Sequence, residues 1–535
     1  MTSITPDEID LGARRVPGWY WFESGVQRRP FEPTPGTGSV RHCFSYERSP
    51  SSIKEEALRL IAGAERKIFL ASFRFVDDDL RAALSKAADR LRGGVYVITS
   101  IASRDLRQTV DFKAVYEEDE EEDWLSFDSV GADPNAEENK KHYAELIRSG
   151  VWVRGHPEFH AKFLVVDDRA ALVSSANLEA AALADAVDRP GRRRGFDAVT
   201  GESGVVTTRA EDARLLGRFF ARLWHAECIW DAPPGVGYQL RQRTASPSPC
   251  EVPVPDVGRV GPIWTGSGEQ LILQTLHDII GLAEKELVLA TFSVKELDSH
   301  PDMLYEPVRA AVARGVRIRL LVRSRNFLAT RSALGLMAGW GVAVHGDDKT
   351  HAKCAIADGR AGALFSANFD AEHGIYRGVE MGMRLDGETA LAEALRFFEH
   401  CLDHAPQRLH GDPTAREAAD SLYAPQLQRW DPDAVFEVTA DDRTWASLTR
   451  TRSPALLARV SDDDWQLHIG DGTWQLLSRG GVWRLQTRTA PRQPDRVQAD
   501  LLESWLDNRR TSLERNKADE ELRGVLATRL IRQGG

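Results

Sequence analysis

Two stretches of this chain carry the same polar residues at the same spacing. The first reads His160-Ala-Lys162, then Asp167, Ser175 and Asn177. The second reads His351-Ala-Lys353, then Asp358, Ser366 and Asn368. The interval from Asp to Ser is eight positions in both copies, and from Ser to Asn it is two. Coincidence does not produce two such matches at corresponding points of a repeated chain. The segments FLVV and CAIA after each lysine read as strands, on which residues i and i+2 share a face. His160 then projects with Lys162, His351 with Lys353, Ser175 with Asn177, and Ser366 with Asn368. Each copy thus offers an imidazole, an ammonium and an amide to one point. Lysine and asparagine can hold the non-bridging oxygens of a phosphate while histidine reaches phosphorus. A pseudo-twofold axis would bring the two sets face to face as one site.

Two histidines suit cleavage or exchange of a phosphodiester. One imidazole can attack phosphorus and form a covalent phosphohistidine. The other can protonate the leaving alkoxide and then deprotonate an incoming water or alcohol. Imidazole titrates near neutrality, so both roles are accessible at pH 7. Each histidine gains from a carboxylate that fixes its tautomer. Glu380 is the candidate in the second half, and Asp197, in the RGFDAV context, is the candidate in the first. Asp167 and Asp358 end their strands, and catalytic and structural roles are equally open to them. A purely structural role for the paired histidines and lysines fails, because two buried ammoniums near a dyad need an anionic partner. A metal site is disfavoured: lysines repel a divalent ion, and no HExxH or paired Cys/His spacing is present. No metal or other cofactor is expected.

The elements around the motifs repeat as well. Ala64–Phe75 resembles Ala283–Val294, and GGVYVITS resembles RGVRIRLLVRS. HYAELIRSGVWVRGH resembles SALGLMAGWGVAVHG, and helices carrying Arg-Phe-Phe follow both motifs at Arg218–Phe220 and Arg396–Phe398. Strands alternating with helices predict an α/β fold with a largely parallel sheet in each half. The expected layout is an N-terminal extension at 1–40, half 1 at 41–230, a Pro-rich linker at 231–262, half 2 at 263–410, and an accessory domain at 411–535. In the last, Trp465, Leu467 and Ile469, then Trp474 and Leu476, then Trp483 and Leu485 alternate with polar residues. Asp471-Gly472 and Gly480-Gly481 supply hairpin turns. These predict a small antiparallel sheet, with a charged amphipathic helix from Asp495. Its aromatics read as a hydrophobic face before they read as a base-stacking platform. The Trp19-Tyr20-Trp21-Phe22 run reads as a packed cover. The acidic run at 117–123 reads as a solvated segment, with an acidic gate as the sharper alternative.

A formal net charge of -11 excludes a protein that coats nucleic acid by bulk positive charge. It leaves a local basic groove open. The five cysteines, Cys43, Cys228, Cys250, Cys354 and Cys401, are scattered and form no CxxC pair. They read as reduced thiols. The first residues carry acids and no apolar core, so no secretory signal is visible. No apolar run approaches the roughly 20 residues that span a bilayer. A cytoplasmic location is expected.

The two His-x-Lys-x4-Asp motifs, each with a downstream Ser-x-Asn, resemble the signature of the phospholipase D superfamily, over roughly Val40 to Pro406. The resemblance implies a bilobal pseudo-twofold fold with the site at the lobe interface, a phosphohistidine intermediate and no metal. It also implies His160 as nucleophile and His351 as acid/base. The family often has Gly before the Ser. Here Ser174 and Phe365 stand there, and Phe365 is expected to narrow the floor of the site. Arginines bear on the substrate. Arg192, Arg193 and Arg194, with Arg189, sit in the insertion between Asn177 and Asp197, and Arg323 and Arg325 end a strand that also holds Arg317 and Arg319. Guanidinium forks bind phosphates. These features favour nucleic acid as partner and hence a nuclease. A cytoplasmic phospholipase or phosphatidyltransferase acting on phospholipid is the alternative, and it would need an apolar lip or interfacial helix. A catalytically silent nucleic-acid binder is the third reading. The accessory domain is a candidate for recognition or homo-oligomer formation.

Overall fold

A computed structural model describes residues 8–10, 18–100 except 34–35, 37, 48 and 50–51, 142–179, 182–183, 200–234, 241–249, 251–324, 328–414 and 417, together with strands at 436–438, 455–461, 464–469, 472–479, 482–487 and 530–532. Its contacts divide the chain into two compact units. One comprises Gln27–Arg323 and Trp340–Ala405; the other comprises Met1–Val26, Ser324–Gly339 and Pro406–Gly535.

The first unit holds both motif-bearing halves, built alike. Half 1 contributes strands β1 (Val40–Ser45), β2 (Ile68–Ala71), β3 (Val95–Ser100), β4 (Trp152–His156), β5 (Phe163–Val166), β6 (Ala170–Ser174) and β7 (Glu202–Thr207). Half 2 contributes β8 (Gly261–Gly266), β9 (Glu286–Thr291), β10 (Arg317–Val322), β11 (Ala343–Gly346), β12 (Cys354–Ala357), β13 (Ala361–Phe365) and β14 (Glu380–Arg384). The order across the first sheet is β1-β7-β6-β5-β2-β3-β4, and the second repeats it as β8-β14-β13-β12-β9-β10-β11. The buried apolar positions of β2, β5 and β6 are continuous with those of helices α1 (Ser52–Ala62) and α2 (Asp78–Arg90). Ile53, Leu60, Leu70, Leu84, Leu164 and Leu172 belong to that one core.

The sheets are mixed rather than largely parallel. Only β2-β3-β4 and β9-β10-β11 run parallel. The motif strands enter and leave antiparallel. The reason is local. Arg169 N donates to Val166 O at 3.0 Å, and Arg360 N donates to Ala357 O at 3.0 Å, closing tight hairpins. Asp167 and Asp168 have φ of 55° and 58°, and Asp358 and Gly359 have 51° and 65°. Such turns match the twist of a hairpin and favour Asp and Gly.

The halves clasp each other through the repeated Arg-Phe-Phe helices, α3 (Ala210–Arg222) and α4 (Thr389–Asp403). Phe219 of α3 packs on Trp264 of β8, with ring centroids 4.9 Å apart. Phe397 of α4 packs on Phe44 of β1, at 5.5 Å. Both phenylalanines are fully buried. Each helix therefore caps the first strand of the other half, which burial of large apolar rings strongly favours.

In the second unit, Glu8–Asp10 forms the edge of an antiparallel sheet whose order continues through Ala455–Ser461, Asp464–Ile469, Gly472–Arg479, Val482–Thr487, Phe436–Val438 and Leu530–Arg532. The three expected strands are thus part of a seven-stranded sheet. The Trp19-Tyr20-Trp21-Phe22 run is a strand, Trp19–Glu23, paired antiparallel with Gln407–Gly411. Tyr20 and Trp21 are buried. Trp19 lies so close to Gly335, in the helix Leu328–Gly339, that a Cβ there would clash with its indole. The acidic run, residues 495–529 of the expected tail helix, Asp197, Arg189, Arg192, Arg193, Arg194 and Arg325 lie outside the described residues. The four described cysteines are buried free thiols. Among the described residues, no helix is long and apolar enough to cross a membrane.

Candidate active site

The two halves join edge to edge at the motifs. Phe159 bridges Val379, with His160 N donating to Val379 O at 3.0 Å and Val379 N donating to Glu158 O at 2.9 Å. The symmetric bridge is Thr350 to Gly201, with His351 N donating to Gly201 O at 3.0 Å and Gly201 N to Lys349 O at 2.8 Å. In each bridge the residue before a motif histidine meets the residue before a buried glutamate of the opposite half. These backbone bonds place each histidine against the other lobe's β-sheet.

The carboxylate partners are consequently exchanged between lobes. His160 Nδ1 lies 2.7 Å from Glu380 Oε1. His351 Nδ1 lies 2.7 Å from Glu202 Oε1. Glu380 is 0% exposed and Glu202 1%, while the imidazoles are 20% and 14% exposed. A buried carboxylate accepting from Nδ1–H leaves Nε2 as the reactive nitrogen of each ring. Ser175 Oγ donates to Glu202 Oε2 at 2.5 Å, and Ser366 Oγ donates to Glu380 Oε2. Each serine oxygen also accepts a backbone N–H, from Ser203 at 3.1 Å and Met381 at 3.0 Å. The serines of the motif thus orient the carboxylates.

The carboxylate on His351 is Glu202, while the expected Asp197 lies outside the described residues. In β7 Gly204 sits opposite Ser174, and in β14 Gly382 sits opposite Phe365. The shared pattern is Glu-x-Gly, with the glutamate two residues before a glycine that cannot carry a Cβ. At Gly204 a Cβ would lie 2.8 Å from Ser174 Cβ, and at Gly382 it would lie 2.7 Å from Leu364 O. The first-half carboxylate is therefore a glutamate like the second. The insertion lengthens the route to β7 without changing its register.

Asp167 and Asp358 stand apart from the imidazoles. Asp167 accepts from the backbone N–H groups of Glu65, Arg66 and Lys67 at 2.7, 2.7 and 2.9 Å. Asp358 accepts from those of Glu284, Lys285 and Glu286 at 2.8, 2.9 and 2.8 Å. Burial pushes both carboxyls up, but the three amide bonds outweigh it and hold each below its ordinary value. They staple the loop before β2 or β9 to the motif hairpin.

Lys162 and Lys353 are buried beside the histidines. Lys162 Nζ donates to His160 O at 2.6 Å. Burial pushes Lys162 down to about 7 despite Glu380, with Lys353 adding to the fall. Burial likewise lowers His160 against the pull of Glu380, and takes His351 to about 4 against that of Glu202. Burial pushes both glutamates up, but their histidines outweigh it and hold them ionised. Every cation here is short of solvation, so an anion entering the cleft is strongly favoured. Asn177 and Asn368 are nearly buried, and Oδ1 of each lacks a hydrogen-bond partner.

Phe73 and Phe292 were not among the expected site residues. Phe73 meets the His160 ring edge-on at 5.2 Å, and Phe292 meets His351 at 5.0 Å. Their signal was the repeat itself, LASF against LATF. Phe365 does not form the floor. It alternates with Ser366 along the strand and packs on Phe369, with centroids 6.3 Å apart. Arg323 lies 4.8 Å from the Phe292 ring, near the site. Arg317 and Arg319 pair with Glu286, at 4.0 and 2.7 Å.

A family model described as "Cardiolipin synthase, PLD-like domain" matches residues 57–224 and 276–402, more than half of the chain. The chain belongs to the phospholipase D superfamily, and its chemistry is that of a phosphodiesterase. No curated protein is significantly similar in sequence. Among solved structures, phosphatidylserine synthase from Haemophilus influenzae Rd KW20 is 15% identical, with 70% of this chain and 87% of that one covered at a TM-score of 0.45. Polyphosphate kinase from Porphyromonas gingivalis is 12% identical, covering 67% and 50%, at 0.41. The phospholipase D family member Nuc from Salmonella typhimurium is 17% identical, covering 36% and 95%, at 0.23.

Proposed function

We propose that this protein is a metal-independent nuclease that cleaves phosphodiester bonds through a phosphohistidine on His160. The observation that carries the chemistry is the exchanged pair of His–Glu contacts, at 2.7 Å each, in one cleft. Glu380 holds the His160 proton on Nδ1, so the Nε2 lone pair attacks phosphorus. The bond from phosphorus to the leaving oxygen breaks as His351, protonated on both nitrogens, gives its Nε2 proton to that oxygen. His351 then takes a proton from water, whose oxygen attacks phosphorus and breaks the P–N bond. Lys162, Lys353, Asn177 and Asn368 stabilise the non-bridging oxygens, supplying the positive charge that a metal supplies elsewhere. Binding the anion raises His351 from its low free-enzyme value and readies it as the acid.

Nucleic acid is favoured by the arginines, Arg192, Arg193, Arg194, Arg323 and Arg325. Among them Arg323 lies beside Phe292. The family description names cardiolipin synthase, so phospholipid hydrolysis or transfer is the competing reading. The test is incubation of the full chain, in chelator, with labelled single- and double-stranded DNA, RNA and phosphatidylcholine vesicles. Cleavage of a nucleic acid that His160→Ala abolishes is expected. Lipid turnover without nucleic-acid cleavage would overturn the nuclease reading.

A further inference from the structure

We infer that the residue four places before each motif histidine is a positioning residue for it, so that His156 sets the reach of His160 and Asp347 that of His351. The inference rests on the phosphohistidine reading and extends it to groups that do not touch the substrate. Glu158 carries the link in half 1. Its N–H donates to His156 Nδ1 at 3.1 Å, and its C=O accepts from Val379 N at 2.9 Å. Val379 precedes Glu380, the carboxylate on His160. Lys349 carries the link in half 2. Its N–H donates to Asp347 Oδ1 at 2.8 Å, and its C=O accepts from Gly201 N at 2.8 Å. Gly201 precedes Glu202, the carboxylate on His351. Each of the two side chains thus fixes a residue that ties the histidine's loop to the strand bearing its carboxylate.

The bond is common to the halves, but the side chain that makes it is not. An imidazole stands at 156 and a carboxylate at 347, and their outer partners are opposite in charge. His156 Nε2 lies 3.7 Å from Glu227 Oε2, and Glu227 also accepts from Ser267 Oγ of half 2. The two oxygens of Asp347 accept from Arg28 Nε at 3.1 and 3.0 Å, and Arg28 lies 3.7 Å from Glu47. His156 and Asp347 are both buried. Two chemically different supports therefore present an unprotonated acceptor to the N–H two residues on. A neutral imidazole accepts at Nδ1 only with its proton on Nε2, and a carboxylate facing Nε2 favours that tautomer. What the halves share is the turn bond, and what the bond serves in both is a catalytic histidine.

Such a bond acts on geometry more than on stability. Pro157 and Glu158 are exposed, so water can take over a lost turn bond. The imidazole of His160 has no such substitute, since it must meet phosphorus in line, and a displacement of about 1 Å costs up to roughly a hundredfold in rate. Because each support serves a different histidine, each should govern a different step.

The test is single-turnover kinetics of the full chain, in excess over bis(4-nitrophenyl) phosphate. Release of nitrophenolate reports formation of the Nε2–P bond, and decay of the acid-labile phosphoenzyme to 4-nitrophenyl phosphate reports attack by water. His156→Gln moves the acceptor by one methylene and should slow release roughly ten- to a hundredfold, with decay nearly unchanged. His156→Asn returns an acceptor to the place of Nδ1 and should recover most of the rate. Asp347→Glu keeps the charge beside Arg28 but moves the acceptor, and should slow decay rather than release. Rates in His156→Gln equal to those of the unaltered chain would overturn the inference, as would equal slowing of both steps or a His156→Asn no faster than His156→Gln. Label on the His351 peptide of the unaltered chain would instead show that the nucleophile is misassigned. The positioning roles then predict the reversed split, with His156→Gln slowing decay, and slowing of release alone would overturn them.

Discussion

Exchange of the glutamates between lobes makes Glu202→Gln an informative perturbation. Glu202 belongs to the lobe of His160, yet its carboxylate lies on His351 at 2.7 Å and is 1% exposed. Glutamine keeps the shape but removes the charge. Loss of one charge-assisted hydrogen bond costs about 1.5–3 kcal/mol, roughly ten- to a hundredfold in rate. Turning the amide NH2 toward Nδ1 also moves the ring proton to Nε2, and comparable His–acid pairs lose about 10⁴-fold in kcat in that way. A loss of about 10³–10⁴ in steady-state kcat is expected. The step that stalls is the sharper readout. With a nitrophenyl leaving group, which departs without an acid, phosphorylation of His160 continues in Glu202→Gln. Hydrolysis still needs His351 as base, so an acid-labile phosphoenzyme accumulates. Glu380→Gln impairs the nucleophile and should show little phosphoenzyme. Rapid acid-avoiding quench and mass spectrometry of the His160 peptide measures both. Accumulation in Glu380→Gln and none in Glu202→Gln would refute the crossed pairing.

Three further outcomes follow from the same geometry. Asp167→Ala strands three backbone N–H groups at about 1–3 kcal/mol each, so thermal unfolding should drop by many degrees, while the kcat of the folded fraction stays within about tenfold. A larger catalytic loss at intact stability would return Asp167 to the chemistry. In the free enzyme His351 loses its proton above about 4 and Lys162 above about 7. Both must be protonated to act, so log kcat/KM should fall with pH and steepen from a slope of about −1 to about −2 as pH rises through 7; a flat profile across neutrality contradicts this. Gly204→Ala places a Cβ 2.8 Å from Val173 O and Ser174 Cβ. It should displace β7 and reduce activity at least as much as Glu202→Gln, with a lowered melting temperature, whereas a neutral result would show that the register of β7 tolerates the shift.

The repeat and the His-Lys-Asn sets were legible because spacing on a strand fixes which side chains share a face. The lobe sheets matched the repeat strand by strand. The aspartate of each motif is the residue whose role, catalytic or structural, the sequence leaves open. Its fixed distance from the lysine reflects a hairpin turn at positive φ, with three amides to satisfy, and that backbone role leaves no mark in composition. The RGFDAV context points to Asp197, whereas Glu202 is set by the pairing of Gly204, two residues on, with Ser174. The Glu-x-Gly pattern shared with Glu380 was the available signal. The exchange of partners between lobes was not legible at all, since it depends on the Phe159–Val379 and Thr350–Gly201 bridges between segments far apart in the chain. The N-terminal strand pairing with Ala455–Ser461 was hidden for the same reason.

The central claim is that both lobes converge on a single phosphoryl group. Titration calorimetry of the full chain with tungstate, a tetrahedral oxyanion, tests it directly. One anion should bind per chain, and either Lys162→Met or Lys353→Met should abolish that one event. Two anions per chain, each lost with only its own lobe's lysine, would contradict the account.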